Sequence, residues 1–203
     1  IFTGVICKFL FLINCCLLAT QFASATIKLP RLVINGMVLQ RDVSLPIWGT
    51  AAVGETVNIT FKGQSYQTVT PASGKWTINL APSAAGGPYT MVVAGSNTIT
   101  ITDILIGDVY VCSGQSNMRI WFGDGNGPTY YAADIAASAN PNIRQLEINF
   151  ALSATPLEDV NPLATGWEAA SPSTLKNFSV VAYYFAKDLY EKYQIPIGII
   201  TST

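Results

Sequence analysis

The feature that most constrains the fold is a nearly continuous apolar run from Ile104 to Cys112, which polar residues follow at once. A strand inside a parallel sheet is covered on both faces, so its sequence is apolar throughout rather than alternating. The run therefore predicts a central strand of an α/β unit. We expect this unit to occupy residues 104–203.

Downstream of this strand, helix and strand patterns alternate. The predicted elements are a short helix at 130–138, a strand at 143–148, a helix at 179–193 and a strand at 195–201. Three strands make only part of a doubly wound sheet, which generally has about five or more. The pattern therefore predicts that the chain is truncated after Thr203.

Upstream of residue 104, short alternating segments are separated by turn residues. The clearest examples are the segments 56–61 and 76–80, in which apolar and polar residues alternate. This period of two is typical of strands with one face in the core and one in water. About seven strands and no long helix are predicted, so we expect residues 26–103 to form an accessory β-sandwich.

Residues 1–25 match a secretory signal peptide. Lys8 precedes an apolar run at 9–20, and Ala23-Ser24-Ala25 is a small-residue cleavage site. The run is shorter than the roughly 20 residues that a membrane-spanning helix needs. We therefore predict a secreted or periplasmic protein without a permanent membrane anchor.

Charge and cysteine content narrow the possible partners. The chain has 11 basic and 12 acidic residues and no basic run, so no nucleic-acid partner is expected. Histidine is absent and the acidic residues are scattered, so we predict neither a metal site nor a cofactor. Removal of residues 1–25 leaves Cys112 as the one thiol. We interpret it as a buried structural residue, with a nucleophilic role as the alternative.

The candidate nucleophile is Ser116 in the segment Gly114-Gln115-Ser116-Asn117, directly after the apolar strand. Several hydrolase folds expose a serine above the sheet on such a strand-to-helix turn, and Gly114 permits unusual backbone angles. A helix beginning near Ser116 would direct its amides and dipole toward an oxyanion. The same residue types also serve only to cap turns. Gln115 and Asn117 likewise either contact a sugar or cap the turn.

Four parts of the chain resemble the sialate O-acetylesterase family, which are SGNH-type hydrolases. These parts agree with the family in order and spacing. The four parts are Leu29-Pro30 with 35–40, 107–118, 178–183 and 195–200. The resemblance implies an α/β fold with a partial SGNH-hydrolase-like (flavodoxin-like) parallel sheet. It further implies a carbohydrate (sialate-type) O-acetylesterase that acts on O-acetylated sugars, with Ser116 as nucleophile and its amide as one oxyanion donor. Arg119 departs from the acidic residue that often occupies this position in the family.

A serine nucleophile needs a general base, usually histidine, and this sequence has none. The resemblance places the family's Asp and His beyond Thr203, so we expect the chain by itself to be inactive. A lysine base, Lys176 or Lys187, is the alternative, although both are predicted to be solvated surface residues.

The competing hypothesis is a carbohydrate-binding or adhesive protein with a degenerate esterase unit, which the missing histidine favours. The four tryptophans are candidates for stacking on sugars, with core packing expected for at least three of them. They are Trp48, Trp76, Trp121 and Trp167.

Overall fold

The computed structural model describes residues 26–160 and 165–202. The predicted signal peptide lies outside this range. Within it, no helix combines the length and the hydrophobicity that crossing a membrane requires.

The described chain is rich in strands and has few helices. The strands are β1 (Val38–Gln40), β2 (Leu45–Thr50), β3 (Thr56–Phe61), β4 (Gln64–Val69), β5 (Lys75–Leu80), β6 (Gly86–Ala94), β7 (Thr98–Ser113), β8 (Asn140–Ile148), β9 (Glu168–Ala170) and β10 (Ile197–Ser202). The helices are α1 (Gly127–Tyr130), α2 (Ala132–Ala136), a short 3-10 helix (Leu175–Asn177) and α3 (Val180–Tyr193). The helix predicted at 179–193 is confirmed, and the one predicted at 130–138 is divided into α1 and α2 at Tyr131.

Eight strands form one mixed sheet in the order β4-β3-β6-β7-β10-β8-β9, with β1 beside β7. Strands β7, β10 and β8 run parallel to one another, as the sequence predicts. Strands β3, β4, β6 and the first half of β7 pair antiparallel in the same sheet. The fold is therefore α and β with a mixed sheet, rather than a sheet that is parallel throughout. Strands β2 and β5 form a separate antiparallel pair.

Strand β7 connects the antiparallel and parallel parts of the sheet. Its first half pairs with β6 as far as Ile106, and its second half pairs with β10 from Asp108 to Ser113. The domain boundary that the sequence predicts after residue 103 falls inside this strand. The division into an accessory sandwich and an esterase unit stays a prediction.

The apolar run in β7 is only partly buried, which corrects the expectation of a strand covered on both faces. Ile104 and Ile106 are fully buried, but Val111 is 71% exposed. The reason lies in the pairing, because β6 and β1 reach β7 no further than Ile106 and Gly107. Beyond Gly107, β10 is the one strand among the described residues that pairs with β7.

Glycine allows β1 and β10 to pack closely around the middle of β7. A Cβ atom at Gly107 would lie 1.9 Å from the Pro196 carbonyl oxygen, and one at Gly198 would lie 2.8 Å from Val38 Cβ. Real Cβ atoms do not approach other atoms this closely, so both positions require glycine.

Two apolar clusters form the core. The first lies between the β2–β5 pair and the antiparallel part of the large sheet, and includes Ile47, Ile59, Trp76 and Met91. The second lies between α3 and the parallel strands. The alternating segments predicted at 56–61 and 76–80 are confirmed as strands with one buried face each.

Candidate functional site

Three parallel strands end together at one edge of the sheet. Ser113, the last residue of β7, is in register with Ser202 of β10, and Ser202 is in register with Ile148 of β8. Open α/β sheets bind their ligands at the carboxyl ends of their strands. This edge is therefore the candidate ligand-binding edge of the sheet.

The segment that leaves β7 at this edge carries Ser116 on a tight exposed turn. Gly114 adopts a φ of 157°, and a Cβ there would lie 2.8 Å from Met118 Cγ. The Met118 amide donates to the Gln115 carbonyl over 2.9 Å. Gln115, Ser116 and Asn117 are all exposed. Among the described residues, no hydrogen bond engages the hydroxyl or the amide of Ser116.

The helix considered near Ser116 does not form, because the chain makes a single turn there and the next helix after this turn starts at Gly127. After the turn, the backbone forms hydrogen bonds with residues 178 and 180, on a distant segment, rather than helical hydrogen bonds. Phe122 donates to the Phe178 carbonyl over 3.1 Å, and Val180 donates to the Ile120 carbonyl over 2.9 Å. Among the described residues, no helix N-terminus therefore lies at Ser116.

A buried serine, Ser179, forms a hydrogen bond with the end of this turn. The Ser179 hydroxyl donates to the Met118 carbonyl oxygen over 2.7 Å. The Ser179 hydroxyl oxygen also accepts a longer hydrogen bond of 3.5 Å from the Ala182 amide, and so caps helix α3. Ser179 is fully buried. It ties the position of the Ser116 turn to the start of α3.

A buried glutamine on β8 extends this connection to the sheet. The Gln145 amide group donates to the Asn177 carbonyl over 2.8 Å and accepts from the Ser179 amide over 3.1 Å. Gln145 is 2% exposed. Neither Gln145 nor Ser179 is among the site residues predicted from the sequence. Ser179 directly precedes a helix, which is a local signal for a cap, whereas Gln145 is one of several polar residues in β8 and nothing local distinguishes it.

An open cleft of about 600 Å³ lies at the edge where the strands end. Its lining includes Ser113, Gly114 and Ser202 at the strand ends, together with Trp48 and the segment 148–151. The cleft thus begins two residues before Ser116 and reaches the β2–β5 pair.

Another cavity, of about 410 Å³, is lined by Trp121, Glu147 and Lys176, among others. Burial raises the pKa of Glu147, the negative charge of Glu168 raises it further, and the positive charge of Arg119 opposes the rise. Glu147 thus binds a proton more readily than an ordinary glutamate. Within the described ranges, no cluster of three metal-ligating side chains is present.

The surroundings of the alternative nucleophile, Cys112, and of the alternative bases, Lys176 and Lys187, do not favour these roles. Burial raises the pKa of the Cys112 thiol, which lowers the population of the reactive thiolate. Lys187 lies 3.8 Å from an Asp134 carboxylate oxygen, and Lys176 is exposed. No hydrogen bond or ion pair within the described part of the chain connects either lysine to Ser116.

Asp108 lies at the far end of the parallel segment of β7. Its carboxylate accepts from Arg41 Nε over 2.9 Å and from the Gln40 side chain over 3.1 Å. Asp108 therefore joins β7 to the β1 segment and is remote in register from Ser113.

Comparison with known proteins gives relatives over most of the chain. The sialate O-acetylesterases of Mus musculus and Homo sapiens are each 31% identical to it, over 83% of this chain. A crystal structure of a carbohydrate acetylesterase from Xanthomonas citri is 33% identical and superposes with a TM-score of 0.81 over 88% of this chain and 40% of its own. The chain belongs to the sialate O-acetylesterase family. It spans about a third of the length of the mouse and human relatives. No protein-family model matches it.

The family relationship bears on the whole described region, since the superposition includes both parts of the mixed sheet. The roles of Ser116, Gln115 and Asn117 stay predictions. The structure does bring all three together on one exposed turn, beside the cleft.

Proposed function

We propose that this chain provides the nucleophile of a carbohydrate (sialate-type) O-acetylesterase, with Ser116 as the attacking residue. The observation that carries the proposal is the exposed Ser116 turn at the edge where three parallel strands end beside an open cleft. The names of the relatives, sialate O-acetylesterase and carbohydrate acetylesterase, support an O-acetylated sugar as substrate.

In this mechanism a general base takes the proton of the Ser116 hydroxyl while its oxygen attacks the acetyl carbonyl carbon. The C=O π electrons move to the oxygen, and the Ser116 amide, which has no partner among the described residues, donates to the resulting oxyanion. Collapse of this intermediate breaks the bond to the sugar oxygen, which takes the proton from the base as it leaves. The base then takes a proton from water, whose oxygen attacks the acetyl carbon; the bond to the serine oxygen breaks, acetate leaves, and the proton returns to Ser116. Gln115 and Asn117 flank Ser116 and offer amide groups to the sugar hydroxyls.

The general base is not a histidine of this sequence, because the sequence contains none. Without a base, a serine hydroxyl is a weak nucleophile at neutral pH. We therefore propose that the chain alone does not turn over and that residues of a longer protein supply the base. The greater length of the relatives supports this. Export through the predicted signal peptide is part of the same proposal.

The test is a chimera in which this chain replaces the matching part of the Xanthomonas citri acetylesterase. We expect the chimera to release acetate from an acetylated oligosaccharide, and Ser116→Ala to lower the rate by about 10³-fold or more. Ser173→Ala is the matched control and should retain most of the activity, because Ser173 is exposed and does not line the cleft. A folded chimera in which Ser116→Ala is as active as the parent would refute the proposal.

The isolated chain provides the second arm of the test. Acetate release by the 203-residue chain that depends on Ser116 would show that the base lies within this sequence. Binding of carbohydrate by a folded chimera without any turnover would instead favour the competing hypothesis of a binding protein.

A further inference from the structure

Trp48 is an exposed indole on a strand whose neighbouring side chains are packed. Strand β2 alternates between buried and exposed positions, and Ile47 on its inner face is 2% exposed. Trp48 points to the outer face and is 40% exposed. The face of an exposed tryptophan is a large apolar surface with a polar N–H at its edge, as is common at binding sites.

This tryptophan lies where two cavities meet. The first is the 600 Å³ cleft that contains Ser113 and Gly114 at the strand ends. The second, of about 380 Å³, covers the outer face of the β2–β5 pair, where Thr77 stands opposite Trp48 in register. Both cavities are lined by Trp48. The two cavities therefore meet at the indole and extend from Gly114, two residues before Ser116, to the small sheet.

One ion pair and one hydrogen bond connect residues 158 and 159 to neighbouring segments. Glu158 pairs with Lys75 of β5, and the Asp159 carboxylate accepts from the Arg31 amide at 3.2 Å. Glu158 and Asp159 line both cavities. The lining around the indole is thus rich in hydrogen-bonding groups.

The chemistry of this surface fits a neutral sugar. A pyranose ring has an apolar face of C–H groups, which packs on an indole, and a rim of hydroxyls, which bond to carboxylates, threonines and lysines. The charged groups around Trp48 are two lysines and two carboxylates, Lys28, Lys75, Glu158 and Asp159, and they balance one another. A balanced set of charges offers no net attraction to an anionic ligand.

We propose that Trp48 is a stacking platform for a neutral sugar unit of an oligosaccharide whose acetylated unit lies at Ser116. The proposal rests on the proposed function and extends it, because it assigns a substrate of several linked sugars rather than a single acetylated sugar. Trp48 then contributes to affinity for the chain of sugars and does not act on the acetyl group.

The experiment measures binding by calorimetry, using the full 203-residue chain and two probes, a partially O-acetylated xylotetraose and O-acetylated xylose. We expect Trp48→Ala to weaken tetrasaccharide binding about tenfold and monosaccharide binding by less than about twofold. Trp48→Phe should retain most of the affinity for the tetrasaccharide. Tyr130→Ala is the control, since Tyr130 is 79% exposed and lines neither cavity.

Three results would overturn the proposal: no binding of the tetrasaccharide by the parent chain, equal weakening of both probes, or no effect of Trp48→Ala. An O-acetylated sialic acid that binds more tightly than the tetrasaccharide would also overturn it. Because binding is measured without turnover, a failure of the esterase proposal does not change this readout, and the two proposals can fail separately.

Discussion

The hydroxyl of Ser179 holds the end of the Ser116 turn, and its removal should have a measurable cost. Ser179→Ala removes the 2.7 Å hydrogen bond to the Met118 carbonyl, at about 1 kcal/mol for a buried bond. It also removes the N-cap of α3, for which the long 3.5 Å distance favours the lower end of the usual range, about 0.5 to 1 kcal/mol. The expected loss in the free energy of unfolding is therefore about 1.5 to 2 kcal/mol.

The assay is unfolding by urea and by heat. For a chain of this size, the loss corresponds to a Tm decrease of about 3–8 °C. The matched control is Ser173→Ala, because Ser173 is exposed and its hydroxyl contacts only the Ser171 hydroxyl at 3.0 Å. The control should change stability by less than about 0.5 kcal/mol. If Ser179→Ala costs no more than the control, the contact with Met118 does not stabilise the turn and our reasoning is wrong.

Three further predictions concern other parts of the fold. Gly107→Ala should lower the free energy of unfolding by about 3 kcal/mol or more, because the new Cβ would lie 1.9 Å from the Pro196 carbonyl oxygen. Urea unfolding measures this loss. The control is Gly166→Ala, which should be near neutral because the nearest atom among the described residues is 3.8 Å away. Hydrogen bonds from the Ser96 and Ala52 amides lower the pKa of Glu55. The Glu55 carboxylate therefore stabilises the fold above the usual glutamate pKa, and this stabilisation is lost as the pH falls through the lowered pKa of the folded state. Glu55→Gln should flatten the acid limb of a plot of unfolding free energy against pH, and an unchanged limb would contradict this. Burial raises the pKa of Cys112, so iodoacetamide should modify its peptide at neutral pH more slowly than it modifies glutathione, as mass spectrometry would detect, and unfolding should abolish the difference.

The elements that the sequence predicts well are those with local signals. The alternation in β3 and β5 and the position of α3 depend on residues a few places apart, and a single sequence contains that information. The turn around Ser116 also follows from local residues, because Gly114 permits its backbone angles.

The features that the sequence does not predict depend on distant partners. Ser179 and Met118 are 61 residues apart in sequence, and no periodicity links them. The exposure of Val111 depends on where β1 and β6 stop pairing with β7, which an apolar run cannot reveal. The missing helix after Ser116 has the same origin, because the backbone there bonds to residues near Phe178 rather than to its own turn.

The most direct test of the central claim is to trap the acetylated protein. The Xanthomonas citri chimera would be mixed with an acetylated oligosaccharide, quenched in acid during turnover, digested and analysed by mass spectrometry. Our account predicts that the mass of one acetyl group appears on the peptide that contains Ser116, on that serine, and disappears in Ser116→Ala together with acetate release. An acetyl group on any other residue, or steady turnover by Ser116→Ala, would contradict it.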